Sequence, residues 1–389
     1  MRSFRWACRT ISRPRLRRAL RGFEWAPLCS GGGRNLDNQF APPPGSRSGV
    51  ADYADRLRVA LGTAEVPLYH VGNNRLHAAI YREALKNPGI AILHDAVLHH
   101  FFLGMLSRAE YVDEFVFNYG EWTRELAENL YAERASSGTD PRCFRYPMLR
   151  RIAERSRAII VHNPGAAAIA REHGAKSVHI VPHFYEPVFI DKAETAYFRE
   201  RYGIAQGAVL FGIFGYLRET KRLLPSLQTF LRLHAANPNT ALLVAGEAVS
   251  GDLHRLLESE ARHPAIHRLP HLSETDFSTA AEAVDCCINL RYPAAGETSG
   301  IAIRLMGAGK AVILTEDAAT SDFPDAACLR VKPGIAESAE LFDHMIMVAC
   351  FPALARDIGA AARRHIAERH SLSEAVRRYR QVMCEVSSA

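Results

Sequence analysis

Between Tyr292 and Leu314 the chain gathers residue types that can hold a phosphorylated sugar. Glu297 is the one carboxylate there, and Thr298, Ser299 and Gly300 follow it as a small-residue turn. An apolar strand over 286–290 leads in, and a helix with Ile301, Ile303, Leu305 and Met306 on its apolar positions leads out. Gly307 and Gly309 close that helix before the next strand. A Gly/Ser turn from strand to helix aims free backbone N–H groups and the positive helix end at one spot. Phosphate is the usual occupant of such a spot, and a neighbouring carboxylate suits sugar hydroxyls, so the pair points to a sugar nucleotide.

A second group starts at Gly215, which permits a tight turn after an apolar strand, and reaches Lys221 and Arg222 before a helix. Paired cations there can neutralise a diphosphate, or be solvated cations at a helix start. The GxGxxG spacing of a dinucleotide fingerprint is absent. A third group is His94-Asp95 with His99 and His100. Asp95 and His99 are spaced to share a helix face, yet no zinc-protease signature accompanies them, so no metal is expected. His99 and His100 read as structural, and His94, at a strand end, as the functional one that can donate to a sugar hydroxyl or phosphate oxygen.

These groups need a frame. Strands over 66–71, 89–93, 158–161 and 178–181 alternate with helices over 52–61, 76–85, 97–136, 147–156 and 166–173. After a connector over 184–200, strands over 209–214, 241–245, 266–269 and 286–290 alternate with helices again, and a last helix spans 365–385. Such alternation means α/β units, each a doubly wound parallel sheet with crossover helices, and ligands bind beyond the carboxyl ends of their strands.

The ordered pieces Ser48-Gly-Val-Ala-Asp-Tyr53, Leu93-His-Asp-Ala-Val-Leu-His-His100, Val161-His-Asn163, Phe214-Gly-Tyr-Leu-Arg-Glu-Thr-Lys221, Leu242-Leu-Val-Ala-Gly-Glu247 and Asn289 to Gly300 carry a resemblance. Over about 45–385 the chain resembles the GT-B glycosyltransferases, specifically retaining family 4. The resemblance implies two Rossmann-like domains facing across a cleft. It implies a nucleotide-sugar donor in the C-terminal domain, and a glycan or lipid-linked acceptor in the N-terminal one. Lys221, with Arg222, would bind the diphosphate. Glu297 would take donor hydroxyls, and Thr298, Ser299 and Gly300 would offer amides to the phosphate. The loops near Ala245 and His271 would face the nucleoside. Gly49 would face the diphosphate from the acceptor side, and His94 would lie near the reacting sugar. No metal or other cofactor is implied. A non-catalytic homologue that keeps donor binding is the alternative.

Three departures from that family stand out. Tyr216 occupies a position where many members have Arg, and Arg304 falls near their second glutamate, so Arg291 or Arg222 would have to supply missing charge. Only residues 62–65 separate the first helix from the next strand, and the polar, proline-rich 34–48 shows no first strand. The N-terminal sheet is therefore expected to be shortened, with a partner subunit as one means of covering it.

The domains expected are a basic, disordered leader and linker over 1–44, an acceptor-side domain over 45–185, a donor domain over 186–364, and a helix over 365–389 that can cross back. The net charge of +6 is concentrated in the leader, where residues 1–21 hold eight arginines and no acid. The remainder is close to neutral, which argues against a nucleic-acid partner. An arginine-rich leader fits peripheral contact with an anionic membrane surface. The eight scattered cysteines form no CxxC pair and indicate a reducing, cytoplasmic setting.

Overall fold

The computed structural model describes residues 34–388 except Arg47. The leader expected over 1–44 lies outside the described residues up to residue 33; its last part is folded. Arg34–Leu36 (β1) and Gln39–Ala41 (β2) form an antiparallel hairpin. Its two-residue turn, Asp37-Asn38, has φ of 54° and 63°, the double left-handed geometry that matches strand twist.

The hairpin leads through Gly49–Leu61 (α1), Leu68–Val71 (β3), Ala78–Lys86 (α2) and Ile90–Leu93 (β4). Five short helices follow, His99–Met105, Arg108–Tyr119, Arg124–Ala132, Arg142–Arg145 and Arg150–Arg155 (α3 to α7), then Ala158–Val161 (β5), Pro164–Glu172 (α8) and Val178–Ile180 (β6). The sheet order is β1-β2-β3-β4-β5-β6, and all pairs after the hairpin are parallel.

This corrects the expectation of a missing first strand: Gln39 and Phe40 pair with Leu68 and Tyr69 and occupy the edge of β3. The shortening has a topological signature instead. Every connection from β2 onward steps the same way across the sheet. Yet α1 packs on the face of Leu68, Ile90, Ile92 and Ile160, while α2 and α8 pack on the opposite face with Val71, Leu93 and Val161. The β2–α1–β3 connection therefore has the opposite hand to the others. Parallel crossovers are right-handed in about 98% of cases, which makes this one the exception. The short link over 62–67 enters β3 directly, with no intervening strand–helix unit to restore the usual hand.

Lys192–Arg201 (α9), capped by Asp191, occupies what reads in the sequence as connector. The second sheet runs through Val209–Phe214 (β7), Leu223–Ala236 (α10), Thr240–Ala245 (β8), Gly251–Glu260 (α11), Ile266–Leu269 (β9), Glu274–Ala283 (α12), Cys286–Asn289 (β10), Gly300–Gly307 (α13), Ala311–Thr315 (β11) and Leu329–Val331 (β12). Its order, β12-β11-β10-β7-β8-β9, reverses direction between β7 and β10. A crevice opens beyond the strand ends at such a reversal, and ligands bind in it.

Glu337–Cys350 (α14) and Pro352–Arg369 (α15) cover the second sheet. The helix expected over 365–385 is two helices, because Ser371 caps a new one, Leu372–Ser387 (α16). That helix lies on α1 in the N-terminal unit, burying Tyr379, Val382, Met383 and Val386 beside Tyr53 and Leu57. Each such burial contributes about 1.5–3 kcal/mol. The Tyr53 and Tyr379 hydroxyls meet at 3.1 Å inside this seam.

Candidate functional site

The site forms where β7 and β10 end. Gly215 follows β7 with φ of 87°, and an added Cβ would lie 2.3 Å from Ile301 Cδ1 and 3.1 Å from Lys221 Nζ. Only glycine allows α13 and Lys221 to approach that turn. Lys221 is buried and donates from Nζ to the Phe214 carbonyl. Burial, with the Arg291 guanidinium beside it, pulls its ammonium down to about 7.

Arg222 does not join it. Its guanidinium donates to both carboxylate oxygens of buried Glu337, at 2.7 and 3.0 Å, and its left-handed backbone turns it away at the start of α10. Arg291 is at the site, ion-paired with Glu297. The Ala295 amide donates to the other Glu297 oxygen at 2.7 Å. Burial raises the Glu297 carboxyl, but Arg291 and these hydrogen bonds outweigh it and hold it below the usual carboxylate range.

Ser299 caps α13, accepting from the Ala302 amide at 3.3 Å and from Asn289 Nδ2 at 2.8 Å. The amides of Gly300 and Ile301, in the first helical positions, have no intrahelical acceptor. Thr298 is bonded across the cleft: Asn163 Nδ2 donates to Thr298 Oγ1 and to the Gly296 carbonyl, both at 3.0 Å. The Ala96 amide donates to the Ala295 carbonyl at 2.9 Å. The turn bearing Glu297 is thus held by both units, which belong to one compact body.

The facing wall is built from the ends of β3 to β6. His94 Nε2 lies 3.0 Å from His70 Nδ1, and its ring packs against Tyr53 and His162 at 5.1 and 5.0 Å between centroids. Burial drives its imidazole well below the usual value, so it is neutral. Asp95, next in sequence, accepts from the Asn73 amide at 2.7 Å. Burial, then the charge of Glu297, raise its carboxyl. His183 lies against Gly300, its Nε2 3.4 Å from where a Cβ would be. Gly49 is the exposed first residue of α1.

His99 has both ring nitrogens engaged, by the Tyr146 carbonyl at 3.1 Å and the Tyr111 hydroxyl at 2.8 Å. Among the described residues no group of three His, Cys, Asp or Glu side chains is arranged to hold a metal ion. Tyr216 stacks on His271. Arg304 donates to Glu274 at 2.8 Å and lies over Phe277, and Arg56 of α1 donates to the same Glu274 oxygen, so Arg304 is part of the domain seam.

Sequence reasoning misses three residues here. Asn163 reads only as part of a motif, and its partners lie more than 130 positions away. Asp95 is weighed only as a metal ligand. Arg218 is exposed, and its charge acts on Asp95, His100 and Lys221. Its place three residues after Gly215 is the one signal that could have found it.

No protein-family model and no curated protein sequence matches this chain. Solved structures do match its architecture. HepE from Anabaena, in complex with UDP-glucose, is 13% identical, with a TM-score of 0.61 over 86% of this chain and 82% of that one. Sucrose-phosphate synthase from Thermosynechococcus elongatus is 15% identical, with a TM-score of 0.58 over 86% and 76%. WaaG, a glycosyltransferase involved in lipopolysaccharide biosynthesis, is 15% identical, with a TM-score of 0.53 over 78% and 80%. The fold of this chain is the GT-B fold, two α/β units with parallel sheets facing across a cleft.

Proposed function

We propose that this GT-B chain is a retaining glycosyltransferase of family 4 type, moving a sugar from a nucleotide-sugar donor to a glycan or lipid-linked acceptor. The observation that carries this is the convergence of Lys221, the Gly215 turn, the α13 N-terminus and Glu297 at the switch point of the second sheet. The diphosphate lies between Lys221 and the amides of Gly300 and Ile301, with Arg218 and Arg291 adding positive charge. Glu297 takes hydroxyls of the donor sugar. As the sugar–phosphate bond breaks, negative charge grows on the leaving diphosphate, and fixed cations and a helix end stabilise it without rearranging. No metal is called on. HepE, solved with UDP-glucose, makes a UDP-sugar the first donor to try.

The wall of His94 and the α1 start at Gly49 receives the acceptor. Among the described residues no single helix is long and apolar enough to cross a membrane. A cytoplasmic enzyme touching the inner face of a membrane through its basic leader fits a lipid-linked acceptor. A second reading rests on the Arg291–Glu297 ion pair and the direct β2–α1–β3 connection of the first sheet. It is a homologue that binds nucleotide sugar without turnover, with a partner subunit completing the acceptor side.

The test is release of nucleoside diphosphate from a panel of UDP-, GDP- and ADP-sugars with glycoside and lipid-linked acceptors. Turnover that falls about 100-fold in Lys221→Ala and in Glu297→Ala is expected. Binding without release would favour the second reading, and unchanged turnover in both variants would refute the site.

A further inference from the structure

Of the carboxylates at the cleft, Glu297 has an evident task in donor binding and Asp95 has none. Glu297 is paired with Arg291 and its own turn. Asp95 stands on the opposite wall at the end of β4, one residue from the Ala96 amide that bonds to Ala295. Ala96 also packs on Gly296, where an added Cβ would come within 2.8 Å of its methyl group. These contacts tie the Asp95 and Glu297 segments together across the seam, near enough for the charge of Glu297 to act on Asp95.

Asp95 caps no helix, since α3 begins only at His99. One oxygen, Oδ2, is held by the Asn73 amide. The other, Oδ1, makes no hydrogen bond among the described residues, and Asp95 is only half-buried. Holding two carboxylates together across a partly buried seam is costly unless something lies between them. The charges that act on Asp95 are Glu297, Arg218 and Arg291 from the donor unit; from its own, the Asn73 amide donates to it, and His77 Nε2 and Asp95 Oδ2 both lie within 3.2 Å of where a Cβ on Gly72 would be.

We propose that Asp95 is the acceptor-binding carboxylate of the cleft, accepting a hydrogen bond from the acceptor's reactive hydroxyl through Oδ1. This rests on the transferase reading given above. It also defines the acceptor's chemistry. An anionic end would meet two carboxylates, so the part that enters is an uncharged, hydroxyl-bearing sugar or polyol. A carboxylate fixed by a backbone amide and a tied main chain presents one lone pair in one direction, which orients the attacking oxygen.

The experiment compares wild type with Asp95→Asn and Asp95→Glu, using UDP-glucose and neutral p-nitrophenyl glycosides as first probes, then the rest of the panel. In Asp95→Asn, kcat/KM for the acceptor is expected to fall about 100-fold, while UDP affinity stays within about threefold. The acid limb of the pH–rate profile, which burial and Glu297 move up to about 6, should disappear. Asp95→Glu should recover part of the activity. The melting temperature of Asp95→Asn should hold or rise, because a repelling charge is gone. The inference is overturned if Asp95→Asn keeps wild-type acceptor kinetics, if UDP affinity falls in parallel, or if the melting temperature drops. Absence of turnover by wild type would overturn the parent reading and this one together; turnover that Asp95→Asn shares would overturn this one alone.

Discussion

Asn163 and Thr298 lie 135 positions apart in sequence, and the side-chain amide of one donates to the hydroxyl of the other at 3.0 Å. The same amide reaches the Gly296 carbonyl, and its oxygen caps α8 through the Ala166 amide. One buried side chain therefore starts a helix of the first unit and holds the Glu297 turn of the second. Asn163→Ser keeps a capping oxygen but loses the reach. It should cost about 1–3 kcal/mol of stability while freeing the turn. Amide hydrogen exchange at 295–299 should quicken, and affinity for a nucleotide sugar should fall about tenfold, as the loss of one or two hydrogen bonds implies. Unchanged exchange in that turn would show that the clamp does not hold it.

Neighbouring Lys221 and Arg222 divide the work. Arg222 neutralises Glu337, which is 2% exposed. Arg222→Ala leaves that carboxylate buried and unpaired, at a cost of about 3 kcal/mol. Urea unfolding should show the loss, and nucleotide affinity should fall far less than in Lys221→Ala. The reverse pattern would return Arg222 to the diphosphate.

Much of this frame is legible from sequence. The bounds of β5 and β7 match their apolar runs, and both strands are buried at every position. A strand inside a parallel sheet is covered on both faces, so its sequence announces it. The hairpin at β1 and β2 is three residues a strand and half polar, and its signal was the Asp37-Asn38 turn rather than any apolar run. Helix α9 carries six polar residues in ten, with Phe198 the one buried hydrophobic anchor, and is marked chiefly by its Asp191 cap. Residues 315–364, unassigned from the sequence, hold β12, α14 and most of α15. Within the site, Gly215, Lys221, Glu297 and the α13 turn are local in sequence and could be read from it. The pairing of Arg222 with Glu337, 115 positions on, and the facing of Asp95 and Glu297 are products of folding. Local spacing cannot report them.

The buried histidines make stability depend on pH. Burial lowers His70 and His183 to about 3, and His77, His99, His162 and His370 to about 4. In the unfolded chain they take protons near 6.5. Between pH 6.5 and 4 the unfolded state thus binds more protons, and stability falls as pH falls. Each group contributes about 1.4 kcal/mol per pH unit in that window, so even half of them would remove several kcal/mol by pH 5. The urea midpoint should be clearly lower at pH 5.5 than at pH 7.5. A flat profile would mean that these imidazoles open to water without unfolding.

Donor binding at Lys221 is the centre of the account, and calorimetry of UDP and GDP against wild type and Lys221→Ala tests it most directly. Lys221 lies near 7 in the free protein because it is buried beside Arg291. A bound diphosphate supplies the missing negative charge and raises it again, so binding at pH 7.5 should take up a fraction of a proton, seen as a dependence on buffer ionisation enthalpy. Saturable binding of at least one nucleotide is expected, with proton uptake in wild type and at least tenfold weaker binding without uptake in Lys221→Ala. No binding of either nucleotide, or equal affinity and equal proton uptake in the two proteins, would contradict it.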